Sequence, residues 1–294
     1  MKSCKKKFAA AGLTLALLMG GQVDFVVSPV QAAEASISAA QQFQTDMKML
    51  AKQNRRDYLY VMNIDSPIGK SVLEGLFAYQ VSPKLNVMGN MKNSVNGHVT
   101  SSPFYMEETD MGLISYVKDA DGKWMKSKAD GNADFSFLKN DLQQTIAMQM
   151  LQSQKKVELL SKSSNKNAYK VVVNGGEFLS ALPQPGKLSP LAAAGDDVEF
   201  GKDILQQIGD VTFIVIVDPV HHEISALKSD LSQPIQHGVD AALNSGRITG
   251  LQAAAMKAMT ANLTVQFEAT TVKPEVTGSL AVPSDVQKTA KTQK

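Results

Sequence analysis

The chain has 294 residues, of which 44% are hydrophobic and 20% charged, with 30 basic and 28 acidic groups. That composition fits a globular protein of one large domain or two small ones. The single cysteine excludes an internal disulfide and any multi-cysteine metal site.

Residues 1–32 read as an export signal. Lys2, Lys5, Lys6 and Lys7 form a positive start, Ala9 to Leu18 an apolar run, and Val30-Gln31-Ala32 a small-residue cleavage site. Cleavage after Ala32 would release a single domain over 33–294, exported to a periplasm or cell envelope. The apolar run is shorter than the roughly 20 residues of a membrane span. The cleaved protein would be peripheral to the membrane at most; the alternative is an uncleaved N-terminal anchor. Cys4 precedes the apolar run, so it cannot carry a lipoprotein's lipid. Without residues 1–32 the basic groups fall by four to 26 and the acidic groups by one to 27. A nearly neutral chain lacks the charge of a nucleic-acid binder.

Ser36 to Arg56 carries apolar residues at helical steps: Ala39, Phe43, Met47 and Leu50. Period two then takes over. Tyr58, Tyr60, Met62 and Ile64 share one face of a strand. Ser66-Pro67-Ile68-Gly69 is a turn, and strands follow over Val72–Val81 and Leu85–Met91. After Pro103, three more are expected: Phe104–Thr109, Met111 or Gly112 to Lys118, and Lys123–Lys128 after the Asp119–Gly122 turn. Short connections make this an antiparallel meander.

The spacing predicts a helix over Phe135–Leu160, a strand over Ala168–Val173, and short helices at Glu177–Leu182 and Glu199–Ile208. Leu182–Gly195, rich in Pro and Gly, is a loop suited to a hinge or lid. Val211–Val217 is the strongest strand, apolar on both faces. A returning strand follows at Glu223–Leu231, then one or two helices over Ile235–Thr260 broken near Gly246, and a strand over Ala261–Val272. Pro274–Val282 extends the sheet, Pro283-Ser284-Asp285 starts a short helix, and the Lys-rich end frays. About nine strands result.

No motif selects a chemistry. Gly69-Lys70-Ser71 lacks the glycine five residues earlier that a phosphate loop needs, since that position is Ile64. Asp119-x-Asp121-Gly122 is a calcium-loop fragment whose next ligand positions hold Trp124 and Met125, and an Asp-Gly turn explains it. His221-His222-Glu223 lacks a second histidine four residues on. Neighbouring strand residues also face opposite ways, leaving weak surface binding by one imidazole with Asp218. Glu107 and Glu108 could be half of an acid pair, but nothing singles them out. No catalytic residue, metal site or cofactor is assigned, and the protein is expected not to be an enzyme.

Three stretches carry a resemblance. Tyr116-x7-Trp124-Met125-Lys126, Ile214-x-Ile216-x-Asp218 with Glu223-Ile224, and Ala281-Val282-Pro283-Ser284-Asp285-Val286 resemble hairpins and an ending found in the lipoprotein-carrier half-barrel superfamily, which includes Lol-type and mycobacterial glycolipid carriers. Exported Firmicute members are the nearest in pattern. The resemblance implies an α+β fold, a curved antiparallel sheet (half-barrel) covered on its concave face by helices at 36–56, 135–160 and 235–260. It further implies a lipid or lipoprotein acyl chain as partner, held in an apolar cavity between sheet and helices. The candidate lining is Met62, Phe77, Met88, Met106, Tyr116, Trp124 and Phe213. Methionine's adaptable shape suits such a surface and suits an ordinary core equally. The alternative is an envelope structural or interaction protein with a filled core.

Overall fold

The structure, a computed structural model, describes residues 37–67, 69–110, 112–119, 121–128, 141–181, 206–246, 248–273 and 280–292. The export signal, the Leu182–Gly195 connection and most of the Glu199–Ile208 helix lie outside them.

In chain order the elements are α1 (Ala39–Lys48), β1 (Arg55–Ser66), β2 (Gly69–Gln80), β3 (Asn86–Val95), β4 (His98–Thr109), β5 (Gly112–Lys118) and β6 (Trp124–Lys128). Next come α2 (Leu142–Ser153), β7 (Gln154–Lys162), β8 (Asn167–Asn174), α3 (Gly175–Ala181), β9 (Asp210–Asp218) and β10 (Glu223–Asp230). The chain ends with α4 (Ser232–Asn244), α5 (Gly250–Thr260), β11 (Thr264–Val272), α6 (Ser284–Thr289) and β12 (Lys291–Thr292). The fold is α+β. Among the described residues, twelve strands form one open sheet, ordered β12-β6-β5-β4-β3-β2-β1-β11-β10-β9-β8-β7, antiparallel except where β12 joins β6. Among the described residues, no helix is long and apolar enough to cross a membrane.

Directly opposed residues share a face of a sheet. One row runs Leu73, Met62, Phe267, Ser229, Phe213, Val171 from β2 to β8. This face is buried against Phe43 and Met47 of α1, Leu142, Ala147 and Met150 of α2, and Phe178 of α3. The Phe43 ring meets Tyr169 edge-on at 5.2 Å, and Phe178 meets Phe213 at 5.1 Å. Ser38 and Gln41 form a capping box that starts α1. Buried Asp46 anchors α1 to β8, accepting from Asn167 Nδ2 at 2.7 Å and the Tyr169 hydroxyl at 2.6 Å.

Two glycines let this face close tightly. A Cβ on Gly75 would fall 2.0 Å from the Asn90 carbonyl oxygen and 2.9 Å from the Tyr60 hydroxyl. One on Gly89 would fall 2.2 Å from the Phe104 ring. Aromatic rings therefore lie where side chains would stand, a device that permits a sheet to bend.

The opposite face carries its own cluster. Met88 pairs with Ala78 and Tyr105, and Tyr105 with Tyr116. Val282, Val286 and Ala290 pack on Tyr116, Tyr105, Ile114 and Trp124. The end of the chain thus lies over β4–β6. Its Lys-rich residues, expected to fray, instead include Lys291 and Thr292 paired with Met125 and Lys126.

Three more expectations change. The helix expected over Phe135–Leu160 ends at Ser153, and Gln154–Lys162 is strand β7. QKKVELLSK fits either period, and pairing with β8 supplies backbone partners that decide for the strand. Strand β4 starts at His98, before Pro103. The pairing of β5 with β4 stops at Phe104, so Pro103 sits where that edge is free and its missing N–H costs nothing. Leu280 to Val282 carry no strand pairing; the earlier part of that expected extension lies outside the described residues.

Candidate functional site

Helix α2 lies over the buried face of the sheet, and a cavity of about 50 Å³ remains beneath it. Tyr58, Tyr60 and Phe77 form one wall, from β1 and β2, with Leu142, Gln143 and Ile146 of α2 above. Strands β10 and β11 close the other side with Ile224, Leu227, Phe267, Ala269 and Thr271. Among the described residues, no charged side chain lines it. Tyr58, Ile146, Ala269 and Thr271 are half-buried, and the other seven are buried. By the rule of roughly 10–15 Å³ per water, the space would take only a few. Its mainly apolar walls disfavour them.

The α2 end of this cavity is held by a buried polar cluster. Asp141 caps the helix from a left-handed backbone conformation (φ 67°), accepting the Gln143 N–H at 3.0 Å. Its carboxylate also accepts from Arg56 Nε and Nη2 at 3.2 Å, from the Gln53 N–H at 3.0 Å, and from the Tyr79 hydroxyl at 3.2 Å. Tyr79 accepts the Leu142 N–H in turn. Arg56 further donates to the Ala51 carbonyl at 2.7 Å and to Glu223 Oε2 at 3.2 Å. The three charged groups sum to −1. A buried ion pair needs such extra hydrogen bonds to offset desolvation.

Gln143 makes the second attachment. Strand β10 pairs with β11 only from Ala226 onward, which leaves the backbone of Ile224 short of a strand partner on that side. The Gln143 amide supplies both halves: Nε2 donates to the Ile224 carbonyl at 2.8 Å and Oε1 accepts its N–H at 2.9 Å. Thr271 donates to the same carbonyl at 2.7 Å.

Two tyrosine hydroxyls, of Tyr58 and Tyr60, are shut off from solvent and make no hydrogen bond of ordinary geometry among the described residues. Burial pushes both well above the ordinary tyrosine range, so both remain protonated donors. A buried unpaired hydroxyl costs about 1–3 kcal/mol and calls for a physical reason.

Of the seven residues expected to line a cavity, Phe77 is at its wall. Met62, Met106 and Phe213 lie on the same helix-covered face, packed into the core away from it. Met88, Tyr116 and Trp124 lie elsewhere. Strand register puts them on the opposite face, where Tyr116 and Trp124 meet the end of the chain. Tyr58 and Tyr60 were visible as one face with Met62, because they alternate with it. Nothing local marked Arg56, Asp141 or Gln143, whose partners are remote in sequence.

The short motifs have structural roles. Asp119 Oδ1 accepts the N–H groups of Asp121 and Lys123, both at 2.9 Å, and holds the β5–β6 turn. Glu107 accepts from Tyr116 at 2.6 Å and from Gln287, while Glu108 accepts from the Leu85 N–H. His221 Nδ1 is 2.7 Å from Asp218 Oδ2 at the β9–β10 turn, and Glu223 turns inward to Arg56.

No family model and no curated protein matches the chain. Among solved structures, it is similar to the crystal structure of LprF from Mycobacterium bovis. The match covers 83% of this chain and 97% of that one, at 11% identity and a TM-score of 0.43.

Proposed function

We propose that this chain is an exported envelope protein that binds lipid or lipoprotein acyl chains between its sheet and helices. The observation that carries the reading is the uncharged cavity under α2, walled by β1, β2, β10 and β11. Acyl chains need apolar area and volume more than directed contacts, at about 25 cal/mol per Å² removed from water. Gly75 and Gly89, under Tyr60 and Phe104, are the positions at which the sheet would curl into a half-barrel with this face inside. The role is binding without catalysis, since both carboxylates of the neighbouring cluster, Asp141 and Glu223, are engaged by Arg56.

At about 50 Å³ the cavity seats one end of a chain, well short of the several hundred Å³ of an ordinary ligand site. Loading a longer chain therefore requires the walls beneath α2 to part. The same small volume favours a second reading, a filled-core structural or interaction protein of the envelope. Native mass spectrometry of protein purified from its own envelope separates the two. Bound lipid is expected; repeated recovery of lipid-free protein that also refuses added lipid would leave the second reading.

A further inference from the structure

We infer that the ligand end seated under α2 is an uncharged oxygen acceptor, the ester carbonyl of an esterified acyl chain, received by the hydroxyls of Tyr58 and Tyr60. The inference rests on the acyl-binding reading above and names the ligand's chemistry.

Three observations carry it. First, among the described residues the cavity wall has no charged group, so a carboxylate would enter without a counter-ion. Second, the nearest cation cannot serve. Arg56 is 2% exposed, and its guanidinium is occupied by Asp141, Glu223 and the Ala51 carbonyl. With Asp141 and Glu223 it forms a cluster of net −1, which repels a second anion. A free fatty acid is disfavoured twice over.

Third, the cavity's other polar groups are already in use. The Gln143 amide is engaged on both its oxygen and its nitrogen with Ile224, and the Thr271 hydroxyl donates to the same residue. Among the described residues, only the Tyr58 and Tyr60 hydroxyls on this wall make no hydrogen bond of ordinary geometry, and both belong to rings that line the space. Each has one proton to donate. A pure hydrocarbon would leave both unmet. An ester carbonyl has two lone pairs, suffers little from desolvation compared with a carboxylate, and brings an apolar chain with it.

The test compares three soluble probes of equal chain length on the mature chain by titration calorimetry at neutral pH: methyl octanoate, octanoate and octane. The expected order is methyl octanoate tightest, with octanoate about tenfold weaker or more. Tyr60→Phe and Tyr58→Phe should each weaken methyl octanoate by about threefold to tenfold, one hydrogen bond's worth, and leave octane no weaker. Removing an unpaired hydroxyl should not unfold the protein, and the thermal midpoint of each variant checks this. Octanoate binding as tightly as the ester overturns the inference. So does an equal loss of ester and octane in the variants. In both cases acyl binding itself survives. Failure of the wild-type chain to bind any of the three probes overturns the acyl-binding reading and the inference with it.

Discussion

Arg56 Nη2 lies 3.2 Å from Asp141 Oδ2, and both side chains are almost wholly out of solvent. The pair joins the start of β1 to the first turn of α2. Removing either partner strands a buried charge. Arg56→Met or Asp141→Asn should each cost about 3–5 kcal/mol. Asn keeps the cap and tolerates the left-handed backbone, so its effect reports the lost charge. The double variant should cost clearly less than the two single costs together. Urea denaturation of the four proteins as a cycle measures the coupling.

The closeness of Tyr60 to Gly75 and of Phe104 to Gly89 gives a graded expectation. In Gly89→Ala the new methyl meets the far end of an aromatic ring, which can shift. In Gly75→Ala it meets a backbone carbonyl at 2.0 Å, which cannot move without the strand. Both substitutions should destabilise by about 1–3 kcal/mol, with Gly75→Ala the worse. Phe104→Leu should relieve Gly89→Ala and do nothing for Gly75→Ala. Urea midpoints decide.

Trp124 is the only tryptophan, so its emission reports on the far face alone. It packs beside Tyr105 at 5.5 Å, under the cluster that holds Val286. Truncation before Ser284 should shift the emission to the red, and Val286→Ala should cost about 1–2 kcal/mol. A ligand under α2 should leave the emission unchanged. A large ligand-dependent shift would place binding on the wrong face for the acyl-chain reading.

The Asp218 side chain accepts from the His221 ring and its charge adds to the effect, so the His221 pKa is raised above its ordinary value. A histidine raised by folding stabilises fully below its unfolded value of about 6.5, and that contribution is lost as pH rises through the folded value. Titration of the ring by NMR should show protonation persisting above the usual range. Asp218→Asn should bring it back.

The meander was legible because β1 to β6 obey period two and are joined by turns with their own chemistry. Asp119 shows the local rule at work: its carboxylate organises a turn that its neighbours already announce. Strand β7 was hidden because its residues satisfy a helical period as well, and the choice was made by β8. The cavity was hidden for another reason. Its walls come from β1, β2, α2, β10 and β11, and Arg56 finds Asp141 85 residues away. Tyr116 and Trp124 looked like lining residues because aromatic strand residues are buried on either face. Which face covers a cavity is set by strand register and by the path of the chain's end, neither of which has a local signature.

Strand β11 has a consequence for assembly. Strands β1–β6 are successive hairpins that can zip together as they are made, and β7–β10 lie in consecutive spatial order too. Within the sheet the two halves are joined by β11, which is bound on one side by β1 and on the other by β10. It is nearly the last strand in the chain, and it brings Val272 back to Asp57. Until it arrives, β1 and β10 are bare strand edges, each a template for a wrong partner. The molecule is therefore welded late, by contacts of high sequence separation, which slow folding. A nascent chain stopped before residue 264 would be two unjoined sheets, and the aggregation hazard lies in that interval more than in the finished fold.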